Sequence, residues 1–311
     1  MISIFNASRA VFSKRARAKF VQQKLLRSLV KLNSKLAKKY DDALFCSSVL
    51  QQSGNRLTSR FCNQRFCRIC NRIRTAKLIK GYSSDISAMT DPRFVTLTIK
   101  NISAIDLRHS IRKMISDFRK IQELRRKLKQ PAIVGIRKLE VTYNPDENNY
   151  HPHFHFIIDG EQIAQELIES WLDRNTTSNI KGQDQRKAGD PIELFKYFAK
   201  LTSKSKSDTI VIKKGKATRL EYSYPESLDI IFQAMEGTRV IQPIGGVKLI
   251  KESVDQLESV EIEDLEKEEG MWIFQNNDWV NVYTGELLTG YEPTRKDLSI
   301  RKKIRNLQET G

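Results

Sequence analysis

No apolar run in this sequence approaches the roughly 20 residues that a membrane-spanning helix needs, which excludes an integral membrane helix. Cysteine is scarce, with 4 in 311 residues, too few for a disulfide scaffold. No internal repeat is visible. Acid is in deficit: 37 Asp+Glu face 54 Lys+Arg, a net charge of +17. That excess points to a polyanionic partner. The first 40 residues hold eleven Lys+Arg and no acid. A mitochondrial leader has that composition too. A basic helix is the preferred reading, because Val21, Leu25, Leu29, Leu32 and Leu36 form one apolar stripe with Lys24, Arg27, Lys31, Lys35 and Lys38 elsewhere on the surface. Apolar residues at 39% suffice for real cores.

From Arg93 the pattern turns mixed. Residues 94–100 alternate and are β-branched, as a strand does. Ile111, Met114, Ile115, Phe118, Ile121, Leu124 and Leu128 predict a long amphipathic helix closed by Pro131. Strands are expected over 133–143 and 150–158 with a turn at Asn144-Pro145-Asp146, then a helix through Trp171, a weak strand near 176–186, and a helix from an Asp190 N-cap to about Leu201. This order predicts an α+β fold, a ferredoxin-like antiparallel sheet with helices on one face. Five segments are expected: a basic helical stretch over 1–45, a cysteine cluster over 46–90, a catalytic domain over 91–207, a continuation over 208–250, and a C-terminal part over 251–311. In that last part an acidic block at 252–269, with nine Asp+Glu and one Lys, is read as a solvated linker, followed by a hairpin with Trp272 and Trp279 and a basic tail.

Three clusters carry chemistry. Cys46, Cys62, Cys67 and Cys70 can complete a tetrahedral zinc site, which is closed and therefore structural. Arginines surround it, among them Arg65, Arg68, Arg72 and Arg74, which suit phosphate contacts. Three of the four histidines, His151, His153 and His155, alternate along one strand and share a face. Two of them can share one ion. A third ligand is expected from the neighbouring strand, where Glu140 sits. Two imidazoles and a carboxylate with open positions suit Mg²⁺ or Mn²⁺ in phosphoryl transfer. On the helix after Asp190, Glu193, Tyr197 and Lys200 fall on one side. A phenol there can attack phosphorus, Lys200 can steady developing charge, and Glu193 can act as general base.

Phe94-Val-Thr-Leu-Thr-Ile-Lys-Asn101, His151-Pro-His-Phe-His155 and Tyr197-Phe-Ala-Lys200 resemble the three motifs of HUH endonucleases. The nearest resemblance is to plasmid rolling-circle replication initiators (Rep) with one active-site tyrosine. Arg137-Lys-Leu-Glu-Val-Thr-Tyr143 and the cysteine cluster add to it. The resemblance implies that His153, His155 and Glu140 hold the metal. It implies that Tyr197 nicks one strand of the double-strand origin, keeps the 5′ phosphate and leaves a 3′-OH primer. It implies that Glu193 activates water at termination. Implied partners are plasmid origin DNA, as duplex and as single strand or hairpin, and a host helicase and DNA polymerase, all in the bacterial cytoplasm. Position 201 is Leu, so no second tyrosine follows by one turn. Rival readings are a transposase or relaxase with the same chemistry, and a non-catalytic zinc-containing DNA-binding regulator.

Overall fold

The computed structural model describes residues 5–7, 9–189, 194–195, 210–213, 216–219, 222–255, 257–262, 264–298 and 301–302. In chain order the elements are β1 (Phe5–Ala7), α1 (Arg9–Lys31), α2 (Ala37–Phe45), β2 (Val49–Gly54), β3 (Arg56–Arg60), α3 (Arg68–Ser87), β4 (Pro92–Thr98), α4 (Leu107–Lys127), β5 (Gly135–Asn144), β6 (Asn149–Asp159) and α5 (Glu161–Arg174). They continue with β7 (Asp184–Lys187), β8 (Ile210–Lys213), β9 (Lys216–Arg219), β10 (Tyr222–Ser223), α6 (Pro225–Ala234), β11 (Ile241–Ile244), β12 (Leu257–Ile262), β13 (Glu268–Gln275), β14 (Asp278–Asn281), α7 (Arg295–Leu298) and β15 (Arg301–Lys302). The chain divides into two compact units, residues 1–74 with 252–311, and residues 75–251.

The unit of residues 75–251 carries a five-stranded antiparallel sheet in the order β11-β5-β6-β4-β7. Strands β4 to β7, with α4 and α5 between them, give the expected ferredoxin-like α+β arrangement, and β11 extends it along β5. Alternation along β6 sends Phe154, Phe156 and Ile158 to the helix side, where Phe118 of α4 and Trp171 of α5 meet them. Ile111, Met114, Phe118 and Ile121 give α4 its buried stripe. Burying each such side chain contributes about 1.5–3 kcal/mol. The stripe stops a turn earlier than its periodicity predicts: Leu124 and Leu128 are 45% and 59% exposed. Gly135 opens β5 because the Ile157 carbonyl stands where a Cβ would lie. Of the helix expected from Asp190, Leu194 and Phe195 form a buried turn; the rest lies outside the described residues.

The unit of residues 1–74 and 252–311 is built on a six-stranded sheet in the order β1-β12-β3-β2-β13-β14, all antiparallel except the β1–β12 pair. Its core joins Phe12 and Ala16 of α1 to Leu50, Leu57, Val260, Trp272, Phe274 and Trp279. The acidic stretch read as a linker is therefore structural in part: β12 lies inside it, paired to β3, and Arg56 meets Glu261 across the ladder at 2.9 Å. The expected Trp272–Trp279 hairpin is β13–β14. The basic N-terminal stretch is two helices rather than one, since α1 ends at Lys31. Among the described residues no helix is long and apolar enough to cross a membrane.

Candidate functional site

Strands β5 and β6 form one hairpin whose turn sets their register. Asn144 faces Asn149, and counting back brings Glu140 opposite His153 and Lys138 opposite His155. Directly opposed residues share a face. Glu140, His153 and His155 consequently converge on the side of the sheet away from α4 and α5, each offering a ligand atom within 4.8 Å of the others. The Glu140 carboxylate lies 3.7 Å from His155 Nε2.

Each imidazole is oriented through its other nitrogen. His153 Nδ1 donates to the His151 carbonyl at 3.0 Å, and His155 Nδ1 lies 3.1 Å from Thr96 Oγ1 on β4. A partner at Nδ1 is the arrangement that fixes the tautomer and orientation of a ligating imidazole. Burial, and secondarily His153, lowers the His155 pKa to about 3 and the His151 pKa to about 4. Both are neutral at neutral pH, the form that binds metal. Burial opposes ionisation of Glu140, but Lys138 and His153 outweigh it and hold the carboxyl below its usual range. This donor set fits a hard or borderline divalent ion.

One side chain that the sequence reading did not include completes this cluster. Lys138 Nζ donates to Glu140 Oε2 at 2.8 Å, with side chains only 3% and 11% exposed. Strand alternation was the available signal, since Lys138 precedes Glu140 by two. His151 does not ligate with the other two. Its ring lies against that of His153 at 5.1 Å, and its Nδ1 is bound by Asn101 Oδ1 at 2.8 Å.

Tyr197, Glu193 and Lys200 lie outside the described residues. Two positions before Tyr197, Phe195 stacks on Tyr82 of α3 at 5.9 Å, and its carbonyl accepts from Thr75 Oγ1 at 3.1 Å.

In the other unit, Cys46 follows α2, Cys62 follows β3, and Cys67 and Cys70 bracket the start of α3. All four sulfurs lie within 4.8 Å of one another. The Cys46–Cys70 and Cys62–Cys70 separations are 3.5 and 3.7 Å. These are far beyond a disulfide's ~2.05 Å. They match the ~3.8 Å between sulfurs that share a tetrahedral ion at Zn–S of about 2.3 Å. Backbone N–H groups of Cys62, Gln64 and Cys70 point at cluster sulfurs. Burial opposes ionisation of Cys67, but hydrogen bonds from Cys46, Cys62 and Cys70 outweigh it and pull the thiol well down. Bonding to the neighbouring sulfurs, Cys46 first, pushes Cys62 and Cys70 up. A bare cluster thus resists ionising Cys62 and Cys70, and a cation is what four thiolates need.

Lys19 of α1 is fully buried beside these cysteines, donating to the Cys46 carbonyl at 2.7 Å and to Ser48 Oγ at 2.9 Å. Of the arginines expected to touch DNA, Arg72 is exposed and Arg68 half-buried. Arg65 pairs with Glu252 at 2.7 Å. Arg74 is a correction: it is buried, and its guanidinium donates to the Asn63 carbonyl and side chain and to the Glu252 carbonyl. A group enclosed by its own unit has no face to offer a phosphate.

A family profile described as "Replication protein" matches residues 55–162, which include Cys62, Cys67, Cys70, Glu140, His153 and His155. A curated relative named Protein rep, from Staphylococcus aureus, is 30% identical over 171 residues, 47% of this chain and 74% of the relative. The chain belongs to the plasmid rolling-circle replication initiator (Rep) family. Two further members are each also named Protein rep. The one from a Bacillus species is 30% identical over 136 residues, 39% of this chain and 43% of its own length. The one from Lactiplantibacillus plantarum is 27% identical over 238 residues, 66% of this chain and 69% of its own. No solved structure matches the chain significantly.

Proposed function

We propose that this Rep family member initiates plasmid replication by nicking one origin strand and holding it covalently. The observation that carries the reading is the convergence of Glu140, His153 and His155 on one sheet face, with both imidazoles oriented through Nδ1. These three residues would hold Mg²⁺ or Mn²⁺. When bound, such an ion supplies Lewis-acid polarisation of a phosphate's non-bridging oxygens.

The chain's own residues do the rest. The Tyr197 phenolic oxygen attacks the scissile phosphorus and its proton leaves. The P–O3′ bond breaks, the 3′ oxygen departs with a proton as a free hydroxyl, and the 5′ phosphate stays on Tyr197. Lys200 steadies the negative charge that develops. Glu193 activates the water or hydroxyl that ends the round. Phe195, two positions before Tyr197 in the sequence, stacks on Tyr82. Residues 91–207 form the nicking domain, and the 3′-OH serves a host polymerase behind a host helicase in the bacterial cytoplasm.

The four cysteines hold a structural Zn²⁺ that ties α2, β3 and α3 together. Arg65, Arg68 and Arg72 around it contact origin DNA, while Arg74 braces the cluster from inside.

Purified protein incubated with Mn²⁺ and supercoiled origin plasmid tests this reading. A covalent protein–DNA adduct is expected, and Tyr197→Phe should still bind DNA but form none. An adduct that persists in Tyr197→Phe refutes the nucleophile.

A further inference from the structure

Helix α4 has an outer face that the nicking chemistry does not use. Arg112, Arg119 and Arg126 recur every seven residues, and Lys120 and Lys127 stand beside the last two. All five are exposed. Among the described residues none of their side chains has an ion-pair or hydrogen-bond partner, whereas Lys113 pairs with Asp117 and Arg125 with Glu166. Glu123 is exposed within the stripe, at helical spacing from four of the five, and pairs with none of them. Neighbouring α5 turns Glu169 and Asp173 outward, so the cationic surface ends where α5 begins.

At 1.5 Å per residue the three arginine rungs stand about 10.5 Å apart and span about 21 Å. Holding five cations on so short a surface, with Glu123 the one carboxylate that α4 itself sets among them, costs self-repulsion that an anionic partner relieves. The opposite side of α4 is the apolar stripe packed on Phe154 and Phe156, so the cationic side faces outward by construction.

We infer that this face of α4 docks duplex DNA through its phosphates. The choice of DNA among polyanions rests on the nicking function proposed above. Duplex is favoured over single strand by what the stripe lacks. Single-strand sites stack successive bases on aromatic rings, and α4 exposes no Phe, Tyr or Trp, Phe118 being buried and His109 in the first turn being its one exposed ring. Duplex DNA presents one phosphate charge per ~1.7 Å of axis and asks only for cations at its backbone. Such contacts position a protein without reading bases. The face lies on the far side of the sheet from Glu140, His153 and His155. Duplex flanking the origin is thus gripped behind the sheet, and the strand to be cut reaches the histidine side around its edge.

The test uses the full chain with Arg112, Arg119 and Arg126 all changed to Gln, and a matched Arg→Lys triple. Binding to a blunt duplex oligonucleotide of arbitrary sequence is measured across NaCl concentrations, and Mn²⁺-dependent cleavage of a single-stranded origin oligonucleotide in parallel. Three lost phosphate contacts lower the slope of log affinity against log salt by about 2.7. Single-strand cleavage should stay at the parent's level, and the Lys triple should keep the parent's slope. An unchanged slope in the Gln triple makes the face merely solvated and overturns the inference. So does an equal loss in the Lys triple, which charge cannot explain. If neither parent nor variant cleaves the single strand, the nicking reading fails, and the slopes still decide the role of α4.

Discussion

Replacing Lys138 by Met removes the ammonium paired with Glu140 inside the sheet face. The pair is 2.8 Å apart, with 3% and 11% of the side chains exposed. Stripping one partner from so buried a pair leaves an uncompensated charge and costs about 3–5 kcal/mol. Removing both charges, as Lys138→Met with Glu140→Gln, leaves no such orphan and is expected to cost less than the single change. A divalent ion at Glu140, His153 and His155 supplies the positive charge that Lys138→Met took away. Mn²⁺ at about 100 times its dissociation constant returns about 2.7 kcal/mol. It should therefore rescue Lys138→Met and leave the double variant, which lacks the carboxylate ligand, nearly unmoved. Native-state hydrogen exchange of the β5 and β6 amides, with and without Mn²⁺, reads both effects where they arise. Additive costs for the two substitutions, or a Lys138→Met protein indifferent to Mn²⁺, would refute the reasoning.

Chelating a metal ion held by the four cysteines, or changing Cys70 to Ser, should loosen the unit built on β2 and β3 while β5 and β6 stay protected from exchange, since the four sulfurs belong to the first unit alone. The histidine face predicts acid lability with a definite sign. The folded-state values of about 4 for His151 and about 3 for His155 lie below the ordinary 6.5, so the unfolded chain binds protons first. Stability is unaffected above about pH 6.5 and falls as pH drops from there toward 3. The depressed Glu140 carboxyl acts in the same direction, its contribution being lost as pH falls through its folded value. Urea midpoints measured between pH 8 and pH 4 check this, and a flat profile would contradict it. Gly135→Ala should destabilise by more than about 1 kcal/mol, because its Cβ meets the Ile157 carbonyl and β5 must shift. A melting temperature equal to the parent's would rule out that contact.

The histidine face was legible because two local rules suffice for it. Period-two alternation sets which side chains share a side, and the Asn144–Asn149 turn sets which residues oppose each other, so Glu140 could be counted to His153. The same alternation marks Lys138, yet a lysine reads as surface until its partner is seen. The acidic stretch misled for the reverse reason. Leu257, Ser259 and Glu261 alternate with Glu258, Val260 and Ile262, a pattern that looks solvated. Its charge is met by Arg56, some 200 residues earlier, and no local window shows that pairing. Lys19 and Arg74 were hidden likewise. The carbonyls that accept from them belong to Cys46 for Lys19, and to Asn63 and Glu252 for Arg74. Leu124 and Leu128 keep the helical period yet are exposed, so periodicity alone overran the core.

Mn²⁺ titration of the full chain, followed by electron paramagnetic resonance, tests the central claim most directly. One ion per chain should bind in the parent and in Tyr197→Phe, and that binding should be lost in His153→Ala. Unaltered Mn²⁺ binding in His153→Ala would contradict the account.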